Sequence, residues 1–232
     1  MSAPTSERHL EPVVSDDGRP VELAVVDYGM GNRRSVEKAL EHAGAHAVVT
    51  DDPDRLRRAD GLVLCGVGAF AAGAARLAES GLDELVRSRV DDGVPLLGIC
   101  LGMQLLFERS EERGGGEGLG LLAGPVRRLE PEPGMKLPHI GWNLVRWTDA
   151  RAERPALRGD LPERTAFYHV HSYVAHPEDP ADAVAHGDYG GPFVTAVQRG
   201  RVLGAQFHPE KSSTDGLRVL RSFAASCARS TT

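Results

Sequence analysis

Leu96–Gln104, LLGICLGMQ, is an apolar run that ends on Gly98-Ile-Cys100-Leu-Gly102 and leads into a helical stretch, Leu101–Glu108. A strand that turns directly into a helix around a single cysteine needs small residues on both sides. The backbone there is strained, and neighbouring segments come close. Such a turn presents the sulfur at a helix N-terminus, where free N–H groups and the dipole favour a thiolate. The N–H of Leu101 is the natural donor to an oxyanion formed beside it. Read alone, Cys100 is also compatible with a small buried hydrophobe between glycines.

Outward from this elbow the chain alternates short apolar runs with helical stretches. Val21–Asp27 (VELAVVD), His46–Thr50, Asp60–Leu64 and Val94–Cys100 read as strands, and Gly29–Gly44 opens with glycines before turning helical. Strands of this kind separated by helices favour a parallel sheet covered on both faces. Beyond about Gly118 the pattern is β-rich, with Pro125–Leu129, Thr165–Val174, Pro192–Arg199 and Val202–Phe207 expected to extend the sheet. Thr214–Cys227, with Leu217, Leu220, Phe223 and Ala224 at helical spacing, should close the fold as a helix. The glycine-rich Gly114–Gly118 lacks the lysine of a phosphate-binding loop and reads as a plain loop.

Composition narrows the function. The 232 residues suit one α/β domain, and the 27 basic and 33 acidic residues leave a net charge of −6 with no basic cluster to grip nucleic acid. No apolar run is long enough to span a bilayer. The three cysteines, Cys65, Cys100 and Cys227, show no metal-ligand or disulfide spacing, which points to a reducing, cytoplasmic setting. Residues 1–20 are polar and of mixed charge, without the apolar segment of a leader, and read as a disordered extension ahead of a domain at 21–229.

A thiol nucleophile needs a base. Gln206–Lys211 (QFHPEK) supplies His208 and Glu210, two residues apart behind the strand Val202–Phe207, so that one can orient the other. The remaining histidines have blander readings. His42 and His46 lack a third ligand, and His169 and His171 share one face of a strand, so no metal and no organic cofactor are expected.

With these residues the chain, from about Glu22 to Ala225, resembles the class I glutamine amidotransferases, which carry GxCxGxQ and, far downstream, HPE. The resemblance implies a flavodoxin-like α/β fold with a mixed, largely parallel sheet and the site at the strand carboxyl ends. It makes Cys100 the nucleophile toward the side-chain amide of L-glutamine, His208 the base and then acid, and Glu210 the group that orients it. Gln104, Gly68 and the segment His171, Ser172 and Tyr173 would hold the substrate. Asp27–Asn32 (DYGMGN), Gly66–Phe70 (GVGAF) and Lys136–Asn143 (KLPHIGWN) resemble the glutaminase subunits of imidazole glycerol phosphate synthases of histidine biosynthesis.

That closer resemblance implies a (β/α)8 cyclase subunit as partner in a heterodimer. The partner takes up the ammonia and forms imidazole glycerol phosphate and an aminoimidazole carboxamide ribotide. It also implies that Gly66 and Val67 form the second side of the oxyanion hole with Leu101, and that Asn32, Trp142 and Lys211 meet the partner. Read without it, Asn32 is a helix cap, Trp142 a core residue and Lys211 a solvated charge. Cys65 stands where the family usually has proline, which implies a looser oxyanion loop and less suppressed resting hydrolysis. A glutaminase serving another synthase, a γ-glutamyl hydrolase or peptidase on the same scaffold, and a silent binding module remain as alternatives at this level.

Overall fold

The computed structural model describes residues 10–148 and 154–228. Its strands are β1 (Glu22–Val26), β2 (His46–Thr50), β3 (Gly61–Gly66), β4 (Leu96–Cys100), β5 (Phe107–Ser110), β6 (Leu122–Arg128), β7 (His139–Trp147), β8 (Arg164–His171), β9 (Tyr173–Ala175), β10 (Ala183–Asp188), β11 (Pro192–Arg199) and β12 (Val202–Ala205). The helices are α1 (Arg33–His42), α2 (Pro53–Arg58), α3 (Phe70–Ser80), α4 (Leu82–Asp91), α5 (Leu101–Leu105) and α6 (Ser213–Cys227). One nine-stranded sheet runs β2-β1-β3-β4-β12-β11-β10-β7-β8, and β5-β6-β9 form a second, three-stranded sheet.

The large sheet is mixed. Its first four pairings are parallel, and the four from β12 outward are antiparallel. Alternation along β1 explains why both faces are covered. Leu23 and Val25 pack with Val36 and Leu40 of α1 and Val219, Leu220 and Phe223 of α6. Ala24 and Val26 face the other way, with Leu56, Leu77, Val86 and Leu105 from α2 to α5. Each fully buried Leu or Phe in these layers contributes about 1.5–3 kcal/mol.

Three expectations need correction. The helix after Cys100 was expected to reach Glu108 but stops at Leu105, because Phe107 turns into the second sheet and pairs with Leu122. Not all the late strands extend one sheet, since β6 and β9 pair with each other away from the large one. The expected disordered extension falls partly on residues 1–9, which lie outside the described residues. From Leu10 onward the chain packs against the domain instead: Val13 is buried, its N–H donates to the Gly44 carbonyl, and Arg221 Nη1 donates to the Glu11 carbonyl at 2.6 Å. The physical reason is a single apolar anchor plus backbone groups that find partners on the α1–β2 turn.

The elbow is packed to its limit. A Cβ on Gly102 would overlap the Leu64 carbonyl, and one on Gly98 would lie 2.7 Å from the Gly102 oxygen and from Met103 N and Cα. We expect Gly102→Ala to destabilise the domain by about 3 kcal/mol, the upper end of what overpacking costs, because the clash is with rigid backbone, and urea denaturation checks this.

Candidate active site

Cys100 closes β4 with φ 54° and ψ −111°, a positive-φ conformation unusual for a residue with a side chain. Such a conformation costs about 1–3 kcal/mol and collects at functional sites. It projects the sulfur off the sheet end at the start of α5. Because α5 has only five residues, its dipole is small, and a neighbouring cation matters more for a thiolate than the helix does. Leu101, the first residue of α5, has an N–H without an intrahelical acceptor.

The side chain placed to act as that cation is His208. β12 pairs with β4 so that Gly204 lies opposite Gly98, and the chain continues past the sheet to bring His208 to the same end. Its Nδ1 lies 2.8 Å from Glu210 Oε1, and both side chains are only 3% exposed. Nε2 is buried with no hydrogen-bond partner among the described residues. Burial, the largest influence, disfavours the imidazolium, but the nearby Cys100 sulfur and the hydrogen bond and charge of Glu210 outweigh it and raise the His208 pKa to about 9. Ser212 Oγ donates to the His208 carbonyl at 2.7 Å and accepts from the Tyr168 N–H at 3.0 Å, fixing the turn that carries His208.

The other expected residues gather around this pair. Gly66 lies opposite Cys100 in the β3–β4 ladder. Val67 is 44% exposed, and Gly68 has φ +111°. A small cavity is bounded by Asn32, Gly66, Val67, His208, Glu210 and Lys211. Asn32 stands at the N-cap of α1, yet its side chain makes no capping bond. Gln104 Nε2 donates to the Tyr173 carbonyl and to Gln206 Oε1, each at 3.0 Å. Gln206 Nε2 in turn lies 3.7 Å from Cys100 Sγ. Sequence reasoning did not single out Gln206, although its inward place two residues before His208 was readable.

His171 is turned into a buried histidine cluster. Its Nε2 lies 3.3 Å from His139 Nδ1 and its Nδ1 3.2 Å from the Tyr173 carbonyl, so both ring nitrogens are engaged inside the protein. Burial, with charge repulsion from His169 and His139, pushes it well below the ordinary histidine range. Ser172 and Tyr173 follow it, half-buried at the end of β8 and the start of β9.

Cys65 is buried, and burial raises its thiol to about 12, which leaves it a poor nucleophile. Larger clefts lie beside Arg127 and His186 and at the strand amino ends beside Arg58 and Arg89, but neither sets a nucleophile beside a base. Among the described residues no group of three or more histidine, cysteine or acidic side chains is placed to hold a metal, and no helix is long and apolar enough to cross a membrane.

Trp142 is not in the core. Ile140, Trp142 and Leu144 alternate along β7, each more than half exposed, and they lie opposite Val170, Tyr168 and Ala166 of β8. This forms an apolar stripe on one face of the sheet at its β7–β8 end. The same β8 backbone reaches the site: the His208 N–H donates to the Tyr168 carbonyl at 2.9 Å, and the Val170 carbonyl lies 3.9 Å from Cys100 Sγ.

Residues 24–227 match the family model for glutamine amidotransferase class-I. The chain belongs to that family. It is 50% identical over 202 residues to the imidazole glycerol phosphate synthase subunit HisH of Moorella thermoacetica, covering 87% of this chain and 93% of that one. The HisH subunits of Methylococcus capsulatus (50% over 210 residues, 87% and 94% covered) and Bacillus cereus (48% over 203 residues, 87% and 93%) are similarly close. Within the amidotransferases, the chain therefore belongs with the HisH subunits.

Solved structures agree on the fold. One is a glutamine amidotransferase (TM-score 0.68, 21% identity, 89% of this chain and 98% of that one). Another is PurLQS from Thermotoga maritima (0.67, 20%, 92% and 98%).

The raised His208 pKa gives a stability signature. The pairing stabilises the fold fully below the unfolded histidine pKa of 6.5, and this contribution is lost as pH rises from there through about 9. In urea denaturation across that window, wild type should lose more stability than Glu210→Gln. Equal losses would contradict the pairing.

Proposed function

We propose that Cys100, His208 and Glu210 hydrolyse L-glutamine to glutamate and ammonia, and that the ammonia is passed to a (β/α)8 cyclase subunit of imidazole glycerol phosphate synthase. The observation that carries this reading is the buried imidazole of His208, held by Glu210 on one nitrogen, with the other nitrogen buried and unpartnered among the described residues at the sheet end where Cys100 stands. In this reading Cys100 Sγ attacks the amide carbon of glutamine. His208 gives its proton to the leaving nitrogen, ammonia departs, and a γ-glutamyl thioester remains. His208 then takes a proton from water as its oxygen attacks the thioester, and glutamate leaves with the thiolate restored. Glutamine and water balance glutamate and ammonia, so the step uses no cofactor.

The oxyanion of each tetrahedral intermediate is assigned to the N–H groups of Leu101 and Val67, the latter presented by Gly66 and Gly68. Gln104, Ser172 and Tyr173 are assigned to the amino-acid end of glutamine, with His171 bracing the segment from inside the histidine cluster. The partner is assigned to the apolar stripe of Trp142 together with Asn32 and Lys211 at the rim of the catalytic cavity. Docking there would keep ammonia from water, where protonation would remove its nucleophilic lone pair. Three buried free thiols among the described residues accord with a reducing compartment, and we assign the protein to the cytoplasm.

The test is glutamine hydrolysis by the chain alone, with the cyclase subunit, and with that subunit plus its nucleotide ligand. Strong activation by that combination, abolished by Cys100→Ser, is expected. Activation by a different ammonia-using synthase would contradict the assignment. Trp142→Ala should weaken the heterodimer by about 2 kcal/mol or more, as loss of a central aromatic anchor does, and titration calorimetry reads it.

A further inference from the structure

The hydroxyl of Tyr28 is out of place for a buried phenol. Tyr28 is 4% exposed, and its oxygen is buried with no hydrogen-bond partner among the described residues. A buried hydroxyl left unpaired costs about 1–3 kcal/mol, and phenols in protein interiors normally find an acceptor. Burial, and then the nearby Cys65 and Cys100, push the Tyr28 pKa up, so the group keeps its proton and is a donor.

Its surroundings say where the acceptor is. A Cβ on Gly66 would collide with the Tyr28 oxygen and lie 3.3 Å from Tyr28 Cζ, so the phenol touches the backbone of Gly66. Gly31, from the same loop at φ +84°, presses on that residue too: its Cβ would sit 2.8 Å from Gly66 Cα. The segment held this way is adaptable, because Gly66 and Gly68 lack side chains and Val67 is exposed.

The two sides of Gly66 differ. Tyr28 packs with Leu64, Phe70 and Leu101 on one face of the sheet. The cavity with His208 and Glu210 also takes in Cys65 and Ile99, which pack in the layer on the opposite face. The peptide between Gly66 and Val67 is planar and trans, so its C=O and N–H point in opposite directions. If the Gly66 carbonyl turns to accept from Tyr28, the Val67 N–H is turned toward the catalytic cavity.

We propose that Tyr28 is a positioning residue for glutamine hydrolysis: its hydroxyl donates to the Gly66 carbonyl in the catalytically engaged state and so aims the Val67 N–H at the oxyanion. This rests on the assignment of Val67 N–H to the oxyanion hole under the proposed function. It adds a hydrogen bond on the far side of the same peptide, supplied by a residue packed behind Gly66.

The test is Tyr28→Phe, which removes one oxygen and keeps the ring, assayed in the complex with the cyclase subunit and its nucleotide ligand. Removing an oxyanion donor costs about 100- to 1000-fold in kcat, and mis-aiming one should cost at least about tenfold. KM should stay within about twofold, since the donor acts on the intermediate and not on bound glutamine. Alkylation of Cys100 by iodoacetamide, which forms no tetrahedral oxyanion, should proceed at the wild-type rate.

A Tyr28→Phe complex with wild-type kcat overturns the proposal. So does one in which alkylation falls along with kcat, since that marks a general disturbance of the elbow. The two levels separate cleanly. If Cys100→Ser still hydrolyses glutamine, the reading of the site fails. If it does not, and Tyr28→Phe is unimpaired, only the role of Tyr28 fails.

Discussion

Cys100 must leave β4 in a positive-φ conformation while α5 starts immediately behind it, and that is possible only because Gly98 and Gly102 let the backbones of β3, β4 and α5 touch. The rest of the site is placed by that contact. β4 is central, with β3 on one side and β12 on the other. In-register parallel pairing delivers Gly66 beside the sulfur and carries the chain from Gly204 on to His208. Parallel strands end together at one edge of the sheet, so Cys100, His208 and the Gly66–Gly68 segment converge although they are far apart in sequence.

The antiparallel half serves a different purpose. β7 and β8 bury their inner residues and leave Ile140, Trp142 and Leu144 outward. β8, paired beside β7, is the strand to which His208 and Ser212 are hydrogen-bonded. The exposed apolar stripe on β7 and the turn that carries His208 thus meet through one paired strand, β8, a direct physical route by which a molecule bound to the stripe can be felt at His208.

Much of this was legible in the chain. The parallel strands, the closing helix and the elbow follow from short apolar runs, helical spacing and the glycines around Cys100, because burial on both faces imposes those patterns. His208 and Glu210 were legible because both follow a strand at close spacing. What stayed hidden depended on contacts across the fold. Leu101–Glu108 looked helical by local pattern, but pairing with β6 takes Phe107 for a strand. β7 and β10 were not recognised, since Gly141 and Asn143 interrupt one and Gly187 the other. His171 and Trp142 exchange the roles their residue types suggest, the polar ring buried in a cluster and the apolar one exposed, because strand register and not residue type decides which face each occupies. Gln206 and Tyr28 lie inside segments the sequence does pick out, QFHPEK and DYGMGN, but only packing brings their side chains to the elbow.

The central claim is that the sulfur at position 100, activated by His208, forms the covalent bond to substrate. It is tested most directly by acid-quenching the cyclase-bound enzyme during glutamine turnover and locating the trapped adduct by peptide mass spectrometry. A hydroxylamine-labile γ-glutamyl group on Cys100, absent in His208→Ala, is the predicted result. Turnover with no adduct on Cys100, or with the adduct on Cys65 or Cys227, would contradict it.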